Sequence, residues 1–166
     1  MVESIAKEVS LQAKKLAGLL LDQNKTLAVA ESCTGGWLSK VLTDLSGSSE
    51  WFLGGVVSYS NQTKQDFLKV KEQCLDEFGA VSQQVAEQMV GGVDKAFSSS
   101  ISLSITGIAG PSGGSNDKPV GLVWFGVKKS LTQARSCSKT FTGNREQVRQ
   151  QAVLMALQLL VDMLTE

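Results

Sequence analysis

The chain has 166 residues, and its sixteen Lys and Arg balance sixteen Asp and Glu, so it carries no net field that would draw in DNA, RNA or an anionic membrane. It contains no histidine, which excludes any serine or cysteine triad with an imidazole base, and its three scattered cysteines (Cys33, Cys74, Cys137) offer no paired zinc spacing. The length fits one domain, 1–166, with core enough to need no structural metal, and no apolar run approaches the roughly 20 residues of a membrane span, so a soluble cytoplasmic protein is expected.

From Glu3 to Leu21, apolar residues such as Ile5, Val9, Leu16 and Leu20 recur at helical spacing among lysines and glutamines, which predicts an amphipathic helix. Thr26 to Ala30 reads as a buried strand. It ends in Glu31-Ser-Cys-Thr-Gly-Gly, after which Trp37 to Thr43 resumes a helical pattern. A strand, a small-residue turn and a helix N-terminus can present free N–H groups to an anion, which makes Ser32, Thr34, Gly35 and Gly36 candidates for a binding loop. Equally, Thr34 can simply cap the helix while the glycines permit the turn.

Val56 to Ser60 predicts a second strand, set off by Gly54-Gly55, and Asn61 to Leu68 a helix that starts at an Asn cap. Leu75 to Val81 reads as a loop, and Ser82 as the N-cap of a long amphipathic helix running to Phe97. Ser100 to Thr106 alternates apolar and polar residues as a third strand and runs into a segment dense in glycine and proline, Gly107 to Pro119. That segment lacks the Gly-Lys-Ser/Thr of a Walker A loop, yet Gly107, Gly110, Gly113 and Gly114 could let backbone N–H groups wrap a phosphate. Val120 to Lys128 and Gln133 to Phe141 predict an antiparallel hairpin, and Thr142 to Asn144 opens a final helix. Arg145 and Arg149 stand one turn apart near its start, able to grip a phosphate or carboxylate or simply to form a solvated basic face.

This order predicts an α/β fold, a five-stranded mixed sheet with helices on both faces, in which crossovers make the first three strands parallel. Ligands of such sheets sit beyond the carboxyl ends of the parallel strands. The loops richest in small and polar residues, Ser32 to Gly36, Tyr59 to Lys64 and Thr106 to Gly114, converge there.

Without histidine, a serine nucleophile needs another base, and a lysine serves once burial lowers its pKa towards neutrality. Lys64 is the candidate base, Ser49 the candidate nucleophile, and Tyr59 can relay or orient the proton between them. Each residue also has an ordinary reading: a cap, a packed strand residue and a solvated lysine. An extended run from Ser49 to Lys64 would part the two by roughly 50 Å. The dyad therefore requires that Ser49 cap a short helical turn and that Gly54-Gly55 reverse the chain. If Ser49 instead starts a straight strand, the pair can form only across a subunit interface.

Four motifs, Ala30-Glu-Ser-Cys-Thr-Gly-Gly, Gly47-Ser-Ser-x-Trp-Phe with Tyr59-Ser-Asn-x-x-Lys64, Gly79-Ala-Val-Ser, and Thr106-Gly-Ile-Ala-Gly-Pro-x-Gly-Gly-Ser-x-x-Lys-Pro-Val-Gly, together resemble the CinA C-terminal domain family. The resemblance implies a three-layer α/β/α sandwich and hydrolysis of the carboxamide of nicotinamide mononucleotide to nicotinate mononucleotide and ammonia, a recycling step in NAD metabolism. It implies no metal, no organic cofactor and a homodimer or higher homo-oligomer. By position it assigns Ser49 as nucleophile, Lys64 as general base and Tyr59 as their assistant, with Thr106, Arg145, Ser32 and the glycine loop around the substrate. The rival readings are a pyridine-nucleotide-binding module that catalyses little, serving a partner in DNA uptake or damage response, and an amidase for another small amide.

Overall fold

The computed structural model describes the backbone of residues 2–166 and the side chains from Ser4 onward. In chain order the elements are α1 (Val2–Asp22), β1 (Leu27–Glu31), α2 (Trp37–Thr43), a 3-10 turn (Ser48–Glu50), β2 (Phe52–Val57), α3 (Asn61–Leu68), α4 (Glu72–Phe78), α5 (Gln83–Phe97), β3 (Ile101–Gly107), β4 (Leu122–Lys129), β5 (Arg135–Thr140) and α6 (Arg145–Thr165). The strands form a five-stranded sheet in the order β2-β1-β3-β4-β5. β1 pairs parallel with both β2 and β3, whereas β4 is antiparallel to β3 and to β5.

Two apolar clusters make this a three-layer α/β/α sandwich. One joins α1, α2 and α6 to one face of the sheet through Leu16, Leu38, Val29, Phe125 and Leu157. The other joins α3, α4 and α5 to the opposite face through Leu68, Leu75, Met89, Ala28 and Ala30. β1 and β3 are therefore covered on both faces, as strands at the centre of a parallel region are. The alternation along β3 does not mark a wet face. Its polar side is buried, and it is pinned to the α5 layer by Ser104 Oγ donating to the Ala86 carbonyl at 2.6 Å and Thr106 Oγ1 to the Ala80 carbonyl at 2.8 Å. Gly126 on β4 makes this approach possible, since a Cβ there would lie 2.5 Å from the same Ala86 carbonyl. Among the described residues no helix is long and apolar enough to cross a membrane.

Three local expectations change. Gly54-Gly55 does not reverse the chain; β2 continues through both after a register shift at Leu53, because their missing side chains admit neighbouring layers. A Cβ on Gly54 would lie 2.8 Å from the Phe97 ring of α5, and one on Gly55 would lie 2.7 Å from Ser39 Oγ of α2. The stretch read as a loop after Leu75 begins as helix, since α4 runs to Phe78 and buries only Cys74 and Leu75. α3 starts from Ser60 rather than Asn61: the Ser60 hydroxyl accepts from Thr63 N while Thr63 Oγ1 accepts from Ser60 N, a reciprocal capping box. Ser82 does cap α5, accepting from Val85 N, and Asn144 caps α6, accepting from Gln147 N.

Candidate active site

The chain leaves β1 towards β2 on one side and leaves β3 towards β4 on the other, so a crevice opens between the carboxyl ends of β1 and β3. It holds a cavity of about 230 Å³ lined by Ser32, Tyr59, Asn61, Lys64 and Thr106, with Arg145 at its rim. Ser32 is the first residue after β1, and its N–H donates to the Ile105 carbonyl at 2.9 Å, which ties the β1 end to β3.

Lys64 enters from α3, where it occupies an inward position one turn before the buried Leu68. Only 1% of its surface is exposed. Its Nζ donates to the Ser58 carbonyl at 2.7 Å and stands 3.0 Å from Ser32 Oγ. Burial pulls its pKa from the ordinary 10.5 to about 8, opposed in part by the neighbouring Cys33 thiol. An amine of that pKa is about one-tenth neutral at pH 7 and about half neutral at pH 8, and with one N–H on Ser58 the lone pair of the neutral form is free to face the Ser32 hydroxyl. The adjacent Cys33 is of the opposite character, its thiol pushed up to about 12, chiefly by burial, and so is not a thiolate.

The structure separates Ser49 from this pair. Ser49 lies exposed in the 3-10 turn before β2, while Lys64 follows the far end of that strand. Because β2 stays extended over six residues, roughly 20 Å of strand lies between the two ends. Within one chain, Ser32 and not Ser49 is the hydroxyl that meets Lys64. Tyr59 lines the same cavity, but its hydroxyl accepts from Arg145 Nη2 at 2.8 Å, and the direct contact of Ser32 with Lys64 leaves no gap for a relay.

The helix N-terminus after β1 is also arranged differently from expectation. Its anion is internal: the Glu31 carboxylate, fully buried, accepts from Gly36 N (3.1 Å), Leu38 N (3.1 Å) and Ser39 N (2.8 Å), and from the hydroxyls of Thr34 (2.6 Å) and Ser39 (2.7 Å). Those N–H groups are therefore not on offer to a ligand, and Thr34 and Gly36 serve the loop rather than the cavity. Gly35 stands beside Arg149, whose Nε and Nη2 donate to the Cys33 and Thr34 carbonyls at 3.0 and 2.8 Å while its guanidinium lies over Trp37. Arg149 is thus a clamp on the loop carrying Ser32. Arg145 keeps its place at the cavity mouth, spanning it with donations to Tyr59 and, at 2.9 Å, to the Gly110 carbonyl.

Thr106 and Gly107 line the cavity, and Gly110 meets it only through that carbonyl; Gly113 and Gly114 lie in the exposed part of the loop and do not line it. The lining residues missed by sequence reasoning are Cys33, Ala109, Asn61, read as a cap, and Ala80 with Val81, whose Gly79-Ala-Val-Ser motif was the available signal. Among the described residues no group of three or more Cys, Asp or Glu is placed to hold a metal ion.

Comparison with known proteins matches residues 10–164 to the family model of the CinA C-terminal domain. The Nicotinamide-nucleotide amidohydrolase PncC of Escherichia coli K12 is 43% identical over 153 residues, covering 92% of this chain and 93% of that protein. A CinA-like protein of Syntrophomonas wolfei is 50% identical over 146 residues, but this chain spans only 35% of its length. A competence/damage inducible protein from Agrobacterium tumefaciens superposes with a TM-score of 0.92 at 34% identity, covering 96% of each chain. The architecture, the motifs and these matches together place the chain in the CinA C-terminal domain family.

Proposed function

We propose that the cavity at the carboxyl edge is an amide-hydrolysing site, that its substrate is the carboxamide of nicotinamide mononucleotide, and that Ser32 and Lys64 carry the reaction. The observation supporting the mechanism is the buried 3.0 Å contact between Ser32 Oγ and an amine with a pKa near 8. The name of the Escherichia coli relative supports the substrate.

Neutral Lys64 accepts the Ser32 proton as Oγ bonds to the carboxamide carbon. The new oxyanion needs donors, and the Cys33 N–H is placed for this: it directly follows the nucleophile, and it has no backbone acceptor among the described residues. The Lys64 ammonium then gives its proton to the departing nitrogen, the C–N bond breaks, and ammonia leaves an ester on Ser32. Water hydrolyses that ester, handing its proton to Lys64 as it attacks, and nicotinate mononucleotide departs with Ser32 reprotonated. Arg145 at the mouth meets the anionic part of the substrate, by exchanging its contacts with Tyr59 and Gly110 for phosphate oxygens.

Purified protein incubated with nicotinamide mononucleotide is expected to release ammonia and nicotinate mononucleotide in equal amounts. Thermal stabilisation by the nucleotide without ammonia would point instead to a binding module. The rate should also report the lysine. Because the reactive form is the neutral amine and burial sets its pKa near 8, kcat/KM should rise about tenfold per pH unit below that value and level off above it. A flat profile between pH 6 and about 9 would remove Lys64 from the role of base.

A further inference from the structure

Arg149 has no step in the reaction proposed above and does not line the carboxyl-edge cavity, yet its guanidinium is committed to the loop that carries Ser32. The described residues hold two ion pairs, Lys40 with Asp44 and Lys128 with Asp94, and Arg149 belongs to neither. Instead its Nε donates to the Cys33 carbonyl at 3.0 Å and its Nη2 to the Thr34 carbonyl at 2.8 Å, while the group lies 5.2 Å from the centroid of the Trp37 ring. Lysine cannot copy this arrangement, which needs two donors in one plane and a flat face to stack.

Most of the loop is held without Arg149. The Glu31 carboxylate grips it from Thr34 to Ser39, and the Thr34 carbonyl has a second donor in Trp37 N at 3.2 Å. Cys33 is different. The peptide before it is fixed on both sides, by Ser32 N on the Ile105 carbonyl and by Gly35 N on the Ser32 carbonyl at 3.0 Å. The carbonyl of the peptide after it has no partner among the described residues except Arg149. A chain with two soft dihedrals per residue needs both planes held before the residue between them is fixed. Release of the Cys33 carbonyl therefore loosens the Ser32–Cys33 peptide, which carries the nucleophile and the N–H that faces the oxyanion.

We infer that Arg149 is a positioning residue for the amide hydrolysis: by holding the Cys33 carbonyl it keeps the Ser32 hydroxyl and the Cys33 N–H in the geometry of the tetrahedral intermediate, without touching the substrate. The inference rests on the reaction proposed above. Arg145, one turn earlier on α6, is the contrast, because it lines the mouth of the cavity and meets the substrate. The two arginines of one helix face should therefore differ in kind: loss of Arg145 weakens binding, and loss of Arg149 slows the chemistry.

The test is steady-state ammonia release from nicotinamide mononucleotide by the wild type, Ser32→Ala, Arg145→Lys and Arg149→Lys, with a thermal melt of each. Arg149→Lys is expected to lower kcat about 10²-fold while KM stays within about twofold and the melting temperature within about 5 °C of the wild type. Arg145→Lys should instead raise KM about tenfold with kcat changed no more than a few-fold. Trp37→Leu takes the flat face from beneath the guanidinium and should lower kcat about tenfold, most of which Trp37→Phe should restore. That pair decides the matter if Arg149→Lys melts near the assay temperature. Ser32-dependent turnover with kcat of Arg149→Lys within about threefold of the wild type, or with its loss in KM alone, overturns the inference and leaves the reaction standing. A wild type that releases no ammonia, or a Ser32→Ala enzyme that turns over, removes the reaction and the inference together.

Discussion

Ser32→Ala is expected to lower kcat by at least about 10³-fold with the melting temperature nearly unchanged, because it removes the attacking atom but only one side-chain oxygen from the fold. Lys64→Met should lose as much. Its thioether chain fills the space of the buried lysine stem, so the protein should stay folded while Ser32 is left without a base. The double variant should be scarcely worse than either alone, since a nucleophile and its base act as a unit. Ser49→Ala, at the opposite end of β2, should retain activity within a few-fold. Steady-state ammonia release by the four variants checks all of this, and a Ser49→Ala enzyme as dead as Ser32→Ala would mean that a second copy delivers Ser49 to the site.

Glu31→Gln should be the most destabilising conservative change in the molecule. The carboxylate accepts five hydrogen bonds while fully buried, and the amide replaces one accepting oxygen with an NH₂ that faces N–H and hydroxyl donors. Breaking a buried charged network from one side costs about 3–5 kcal/mol. For a chain of this size that corresponds to a fall in melting temperature of roughly 10 °C. Activity should fall as well, because Ser32 is the next residue and the loop that follows loses the anchor of α2. The fall should appear in kcat more than in KM, since the nucleophile is displaced while Arg145 and Thr106 are held by other elements. Thermal melts alongside steady-state kinetics separate these effects, and an unchanged melting temperature would show that the network is not needed.

Much of the fold was legible because the signals were repetitive. Strand runs such as Leu27 to Ala30 and long amphipathic helices such as α5 depend on many residues agreeing, so no single misreading moves them. α4 escaped because seven residues with two buried positions hardly differ from a loop. The glycine pair in β2 misled for a physical reason: glycine marks both a chain reversal and a close approach of layers, and only the neighbours Phe97 and Ser39 distinguish the two.

The site was legible in its elements but not in its pairing. Sequence reasoning placed Ser32, Lys64 and Thr106 in segments converging on one sheet edge, the family resemblance added Arg145 from the last helix, and the structure brings these four to one cavity. Ser49 and Lys64 lie at opposite ends of β2 within one chain, and nearness along the chain says nothing about which end of a strand a residue occupies. The turn after β1 fits either a loop offering N–H groups to a ligand or an ordinary helix start capped by Thr34; Glu31, the last residue of the strand, already supplies the anion. An acidic residue just ahead of a glycine turn and a helix start was the available hint.

The most direct test of the proposed mechanism is to quench the enzyme during turnover of nicotinamide mononucleotide and locate the acyl group by tryptic mass spectrometry. Cleavage after Lys25, Lys40 and Lys64 puts Ser32 in the peptide Thr26 to Lys40 and Ser49 in the peptide Val41 to Lys64. The nicotinate mononucleotide ester should appear on the first peptide and vanish in Ser32→Ala. Its appearance on the second, or steady turnover by Ser32→Ala, would contradict the account.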